Sequence, residues 1–217
     1  MVNKKKQHYS IFLSLVVLST IIIACSQSPK QLPFLGNKSL KKSIVNGKEF
    51  TDTVYHSIPN FKFINQDGDT ISEKTVKGKI YVADFFFTSC PTICPTMKTQ
   101  MLKIYKKYLN NSQVMLLSHT IDPSNDSPEV LKNFAENLHV NTQKWQFVTG
   151  KKEDIYKIGQ KSYMVSAVDD PSQPGGIVHS GGFVLVDTKL RIRGIYDGTE
   201  PKKVEQLMLD IDLLLSE

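Results

Sequence analysis

The 217 residues carry a formal charge of +6, but three of the positive charges are Lys4, Lys5 and Lys6 at the start of the chain. Beyond them the basic excess is small, which argues against nucleic acid as a partner. The length beyond the first apolar segment, about 190 residues, suits one domain with a sizeable core and a tether, and no internal repeat is visible.

The lysines precede an apolar run from Ile11 to Ala24 that stops at Cys25. At roughly 14 residues the run is too short to span a bilayer comfortably, yet it has the length of a signal-peptide core. Ile22-Ile23-Ala24-Cys25 resembles the lipobox of bacterial lipoproteins, in which the cysteine is lipidated and becomes the first residue after cleavage. The sequence therefore predicts a leader over 1–24, lipidation of Cys25, a membrane tether over 25–57 and a domain over 58–217. It also predicts an extracytoplasmic location on the periplasmic side, anchored to the cell membrane by lipid. The tether is polar and broken by Pro29, Pro33, Gly36 and Gly47, with Leu32, Phe34 and Leu35 as residues able to dock on the domain.

In the domain, Phe61 and Phe63 alternate with polar residues, and Asp67-Gly68 predicts a hairpin turn before Thr70 and Ile71. Ile80 to Phe87 is a nearly continuous apolar run, the pattern of a strand buried on both faces. After Cys90-Pro91-Thr92-Ile93-Cys94-Pro95, the residues Met97, Met101, Ile104, Tyr105 and Tyr108 recur at helical spacing. Val114 to Ser118 reads as a strand, a helix begins near Pro128, and Trp145 to Val148 reads as another strand, followed by a helix through Ile155 to Ile158. The stretch 165–178, with Asp169, Asp170, Pro171, Pro174, Gly175 and Gly176, reads as an exposed loop. An antiparallel pair, Phe183 to Val186 with Arg191 to Tyr196, precedes an amphipathic helix that begins at Pro201. The order of elements predicts an α/β thioredoxin-like fold, a central mixed β-sheet flanked by helices with an N-terminal β-hairpin extension.

With Cys25 lipidated, only Cys90 and Cys94 remain as a pair. A crosslink across so short a loop removes little unfolded-chain entropy, so the pair is read as chemical rather than structural. It sits between a strand and the start of a helix, where unpaired N–H groups and the helix dipole favour thiolate. Among the histidines, His179 lies just before the strand Phe183 to Val186, a position that faces the cysteine loop in thioredoxin-like folds. Two sulfurs and an imidazole suit Cu(I), and the imidazole also admits Cu(II); zinc competes on ligand chemistry alone. His56, His119 and His139 are read as surface or packing residues. Asp122 is read either as a supporting acceptor for His179 or as a loop cap.

Phe85-Phe86-Phe87-Thr88-Ser89-Cys90-Pro91-Thr92-Ile93-Cys94-Pro95, then Thr120-Ile121-Asp122-Pro123, then Val178-His179-Ser180 resemble the Sco/SenC family over nearly the whole chain beyond the leader. The resemblance implies a copper ion held by Cys90, Cys94 and His179. It also implies a role in assembling copper sites of respiratory oxidases, above all cytochrome c oxidase. The implied partner is a copper-containing oxidase subunit or another copper protein, reached from the membrane through the lipid anchor. Members are described both as copper donors and as thiol-disulfide reductases, for which Cys90 and Cys94 would be the redox pair. Many members carry an acidic residue in the cysteine loop and an aspartate before the histidine, where this chain has Thr92 and Val178.

Overall fold

The computed structural model describes residues 31–170, 172 and 177–217, without the side chains at 167–169, 178 and 179. The expected leader, Cys25 and the glycines at 175 and 176 lie outside the described residues. Among the described residues, no helix is long and apolar enough to cross a membrane.

Strands β1 (Lys38–Val45) and β2 (Lys48–Tyr55) pair antiparallel within the stretch that the sequence presents as a tether. Asn46 and Gly47 between them both have positive φ, 52° and 74°, as a tight two-residue hairpin turn requires. The residues before this ribbon dock on the domain. Leu32 is buried, and the Leu35 N–H donates to the Ile192 carbonyl at 2.9 Å. The Phe34 ring lies 4.3 Å from that of Tyr55, with the Arg193 guanidinium over it.

Arg193 is 1% exposed and ties several parts of the chain together. It donates to the Leu32 and Pro33 carbonyls, to both oxygens of Glu217 at 2.9 Å, and to Asp187. A buried guanidinium is tolerable because its donors are matched by two carboxylates and two carbonyls.

The Asp67-Gly68 turn joins β3 (Lys62–Asn65) and β4 (Thr70–Ser72), and the short helix α1 (Glu73–Val76) comes next. All seven residues of β5 (Ile80–Phe86) are buried, as a central strand covered on both faces demands. It is followed by α2 (Cys94–Tyr108), β6 (Val114–Thr120), α3 (Pro128–Asn137) and β7 (Trp145–Thr149). Helix α3 begins with Pro128 in its first turn and the Ser127 hydroxyl accepting from the Val130 N–H, so one N–H is absent and another is capped where the helix itself offers no acceptor. Helix α4 (Lys152–Ile158) runs into a single π-helical turn over Gly159–Tyr163.

The stretch expected as a loop after it contains a small antiparallel pair, β8 (Ala167–Asp169) with β9 (Ile177–His179). Strands β10 (Gly182–Val186) and β11 (Ile192–Asp197) then lead to the last helix, α5 (Pro201–Leu215). The main sheet has the order β11-β10-β5-β6-β7-β3-β4. Strands β5, β6 and β7 are parallel, joined by α2 and α3 as crossovers, and the others are antiparallel.

Alternation along β5 and β6 divides the core into two faces. Asp84, Phe86 and Ser118 share one face with Met97 of α2, Trp145 and Phe147. On the other, Tyr81 meets Tyr163 hydroxyl to hydroxyl at 3.0 Å, and His119 stacks on Phe85 with ring centroids 4.8 Å apart. His119, read as a surface or packing residue, is a packing residue: it is fully buried, and Phe63 and Tyr163 also pack on its ring. Neither of its ring nitrogens has a hydrogen-bond partner. Burial holds its pKa down at about 3, against a weaker opposing pull from the Asp84 backbone.

The unfolded chain protonates His119 near the ordinary histidine value of 6.5 whereas the folded chain resists until about 3, so stability falls as pH drops through that window. His119→Phe keeps the stack and removes the titration. The gap between variant and parent in urea unfolding should therefore widen by up to about 4 kcal/mol from pH 7 to pH 3.5. A constant gap would show that the ring does not stay neutral.

Candidate metal and thiol site

The cysteine loop leaves the C-terminal end of β5 and ends in the first turn of α2, with Cys90 and Cys94 both buried and reduced. The Cys90 N–H donates to the Phe87 carbonyl at 3.2 Å, which folds the loop back over the end of the strand. Pro95 occupies the first turn of α2, where its missing N–H costs no helical hydrogen bond.

The two sulfurs differ sharply. Burial pushes the Cys90 thiol up, but hydrogen bonds from the Cys94 thiol, the Thr92 N–H and hydroxyl, and the Cys94 N–H outweigh it and leave the pKa below the ordinary thiol value. Thr92 thus faces the sulfur: its Oγ1 lies 3.6 Å from Cys90 Sγ. Burial pushes the Cys94 thiol far up, assisted by its hydrogen bond to Cys90 and by the nearby charges of Cys90 and Asp84.

Beneath Cys94, Asp84 lines the same small cavity of about 40 Å³ as Cys90, Cys94, Ser118 and Trp145. The Trp145 Nε1–H donates to Ser118 Oγ at 2.8 Å, and that hydroxyl donates to Asp84. Burial pushes the Asp84 carboxyl up to about 7, with the Ser118 hydrogen bond opposing. Sequence reading missed this residue, although a lone carboxylate inside an apolar strand was a visible signal.

A second carboxylate braces the loop. Asp126 is 1% exposed and accepts from the Thr88 N–H at 3.1 Å, the Thr88 hydroxyl and the Thr120 hydroxyl. It therefore ties the end of β6 to the start of the cysteine loop. Asp122 caps the turn leading to it: its carbonyl accepts from the Asn125 and Asp126 N–H groups, and its carboxylate accepts from Asn125 Nδ2 at 2.8 Å.

His179 is the last residue of β9, and its backbone pairs with Ala167. Its side chain lies outside the described residues, and among the described residues no three Cys, His, Asp or Glu side chains cluster to hold a metal. Val184 pairs with Ala83 and Val186 with Tyr81, so the start of β10 lies at the same end of the sheet as the cysteine loop. The Gly198 N–H donates to the Gly181 carbonyl at 2.7 Å, and a Cβ at Gly198 would fall 2.6 Å from the Phe183 ring. A Cβ placed on Gly181 would lie 3.7 Å from the Ile93 Cδ1, so the backbone two residues after His179 passes close to the cysteine loop.

Fold and dithiol loop together define a thioredoxin-like protein with a paired-cysteine centre at the end of its central strand. The family model described as SCO1/SenC matches residues 51–215, and the chain belongs to that family. A SCO1/SenC family lipoprotein from Bacillus anthracis is 32% identical, with a TM-score of 0.67 over 74% of this chain and 95% of its own. BsSco, described by a disulfide switch and as a member of the Sco family of cytochrome c oxidase assembly proteins, is 33% identical. Its TM-score is 0.65 over 73% of this chain and 93% of its own. Arabidopsis thaliana ScoI, solved with copper bound, shares the fold at 23% identity, with a TM-score of 0.61 over 73% of this chain and 98% of its own.

Two carboxylates give separate tests. Asp126→Ala strands two hydroxyls and a part-buried N–H, a loss of about 3 kcal/mol, so calorimetry should show the melting temperature fall by roughly 6–12 °C. An unchanged transition would mean that the loop does not depend on Asp126. For Asp84, the folded chain keeps its proton to about 7 while the unfolded chain loses it near the ordinary aspartate value of 3.8, so stability declines as pH rises between them. Asp84→Asn should gain on the parent by up to about 4 kcal/mol between pH 4 and pH 8 in urea unfolding of the reduced protein. A parallel pair of curves would refute the raised pKa.

Proposed function

We propose that this chain is an extracytoplasmic, lipid-anchored copper-binding protein that assists copper-site assembly in a respiratory oxidase, cytochrome c oxidase, and holds copper through Cys90, Cys94 and His179. The observation that carries this reading is the close approach of the Gly181 backbone, two residues after His179, to Ile93 in the loop between the two cysteines. The donors fit the ion: two soft sulfurs favour Cu(I), and an imidazole extends the set to Cu(II). When bound, copper would hold both thiols as thiolates. The Cys90 thiol is prepared for that state by hydrogen bonds from Cys94 and Thr92, and Asp126 braces the loop before any ion arrives. The Sco relatives described as a lipoprotein, as an oxidase assembly protein and as copper-bound each support one part of the proposal. The lysine-led apolar run ending at Cys25 supports the anchor.

The hydrogen bond between the two sulfurs favours a second reading, thiol-disulfide reduction of the target's cysteines. Cys90 thiolate would attack a partner disulfide and release one partner thiolate. Cys94 would then attack the Cys90 sulfur, freeing the second partner thiol and leaving Cys90 and Cys94 oxidised.

His179→Ala separates the two activities. In anaerobic titration of the reduced protein with Cu(I), the parent should take up one copper per chain. The variant should lose more than about 100-fold in affinity, beyond the loss typical of a supporting residue, and exchange with a small disulfide should persist. Copper affinity that survives the change would remove His179 from the ligand set.

A further inference from the structure

The β1–β2 ribbon has no role in the dithiol centre, yet its composition is unusual for a surface hairpin. Leu40 and Ile44 are 72% and 78% exposed, and Val45, Phe50 and Val54 are between 44% and 53% exposed. The register puts Leu40 and Ile44 on one face with Lys38 and Lys42, and Val45, Phe50 and Val54 on the other with Lys41 and Lys48. Only Glu49 and Asp52 oppose these four lysines, and Glu49 is engaged with Lys42 at 2.8 Å.

Exposed apolar side chains on both faces decide what kind of partner fits. A protein docked on one face would leave the other face's apolar groups in water. The headgroup layer of a bilayer surrounds a ribbon on both sides. It takes apolar side chains to the acyl boundary while lysines reach lipid phosphates on their flexible stems. Water at that depth still serves the outward backbone groups of the two strands, which deeper burial would strand. The lysines specify an anionic surface.

Reach is satisfied by chain length alone. Residues 26–31 separate Cys25 from the docked Leu32, a span of at most roughly 25 Å fully extended, and each eight-residue strand is about 27 Å long. The ribbon root is held by Phe34 against Tyr55, next to the point where the tether docks.

We propose that the β1–β2 ribbon is a second membrane contact, lying in the headgroup layer of an anionic bilayer with its apolar side chains inserted and its lysines against lipid phosphates. This rests on the lipid-anchored reading for its nearness to the bilayer, and the test separates the two.

Phe50→Trp places a fluorescent reporter in the ribbon, and the chain's own Trp145 is 2% exposed in the core and out of lipid reach. The full-length lipidated protein is reconstituted in vesicles of brominated phosphatidylcholine with phosphatidylglycerol. The F50W emission should shift to the blue and fall roughly twofold or more, and the ribbon amides should gain protection from hydrogen exchange. Replacing all four ribbon lysines by Gln, or using phosphatidylcholine alone, should reverse most of that change. Vesicle-bound protein whose F50W emission stays water-like overturns the ribbon contact and leaves the anchor standing. Protein recovered off the vesicles with Cys25 unmodified overturns both. A blue shift that grows with protein concentration without lipid would assign the ribbon to a second copy of the chain and overturn the proposal.

Discussion

Strand β10 runs antiparallel to β5, with Val184 opposite Ala83 and Val186 opposite Tyr81, and this register governs where chemistry can occur. It brings the segment after His179 to the C-terminal end of β5, from which the cysteine loop departs. Every residue of β10 is buried, so a slip of one residue would exchange its two packed faces and misfit both, and the register is strongly held. The close approach of Ile93 to Gly181 depends on it. So does the hydrogen bond from Gly198, which holds β11's end against the same segment.

Around the loop, polar groups are used in two distinct ways. Asp126 stays fully hydrogen-bonded and acts as a brace between β5 and β6. Asp84 has one hydroxyl partner, sits in the cavity under Cys94, and holds its proton to about pH 7 because it is buried. The sulfurs differ for comparable reasons: Cys90 receives hydrogen bonds that favour thiolate, whereas Cys94 is surrounded by burial and negative charge. The resulting asymmetry is a property of the folded loop and needs no bound ion.

Periodicity made the central elements legible. The apolar run at 80–87 became β5, the helical spacing from Met97 to Tyr108 became the buried stripe of α2, and Pro128 and Pro201 each mark a helix start. The cysteine loop was legible because its cysteines and prolines sit at a junction that local pattern defines. An N-terminal hairpin was expected, but not its place at Lys38–Tyr55 within the stretch read as a tether, because β1 and β2 bury neither face and so show no alternation of apolar and polar residues to mark their bounds. Asp126 escaped notice since its partner Thr88 is 38 residues away, a contact that only the parallel pairing of β5 with β6 creates. The β8–β9 pair was hidden for a related reason: its strands have three residues each, too few to display a period.

Arg193 gathers the Leu32 and Pro33 carbonyls, Asp187 and Glu217 at one pole of the sheet, beside the end of β10 that faces the beginning of β5. The dithiol loop occupies the opposite pole, roughly 20 Å away along a seven-residue strand. Tension arriving through the N-terminal segment is therefore taken up by a guanidinium clamp far from the sulfurs. Removing that clamp would loosen the docking of Leu32 and Pro33 while leaving the hydrogen bonds of the cysteine loop in place.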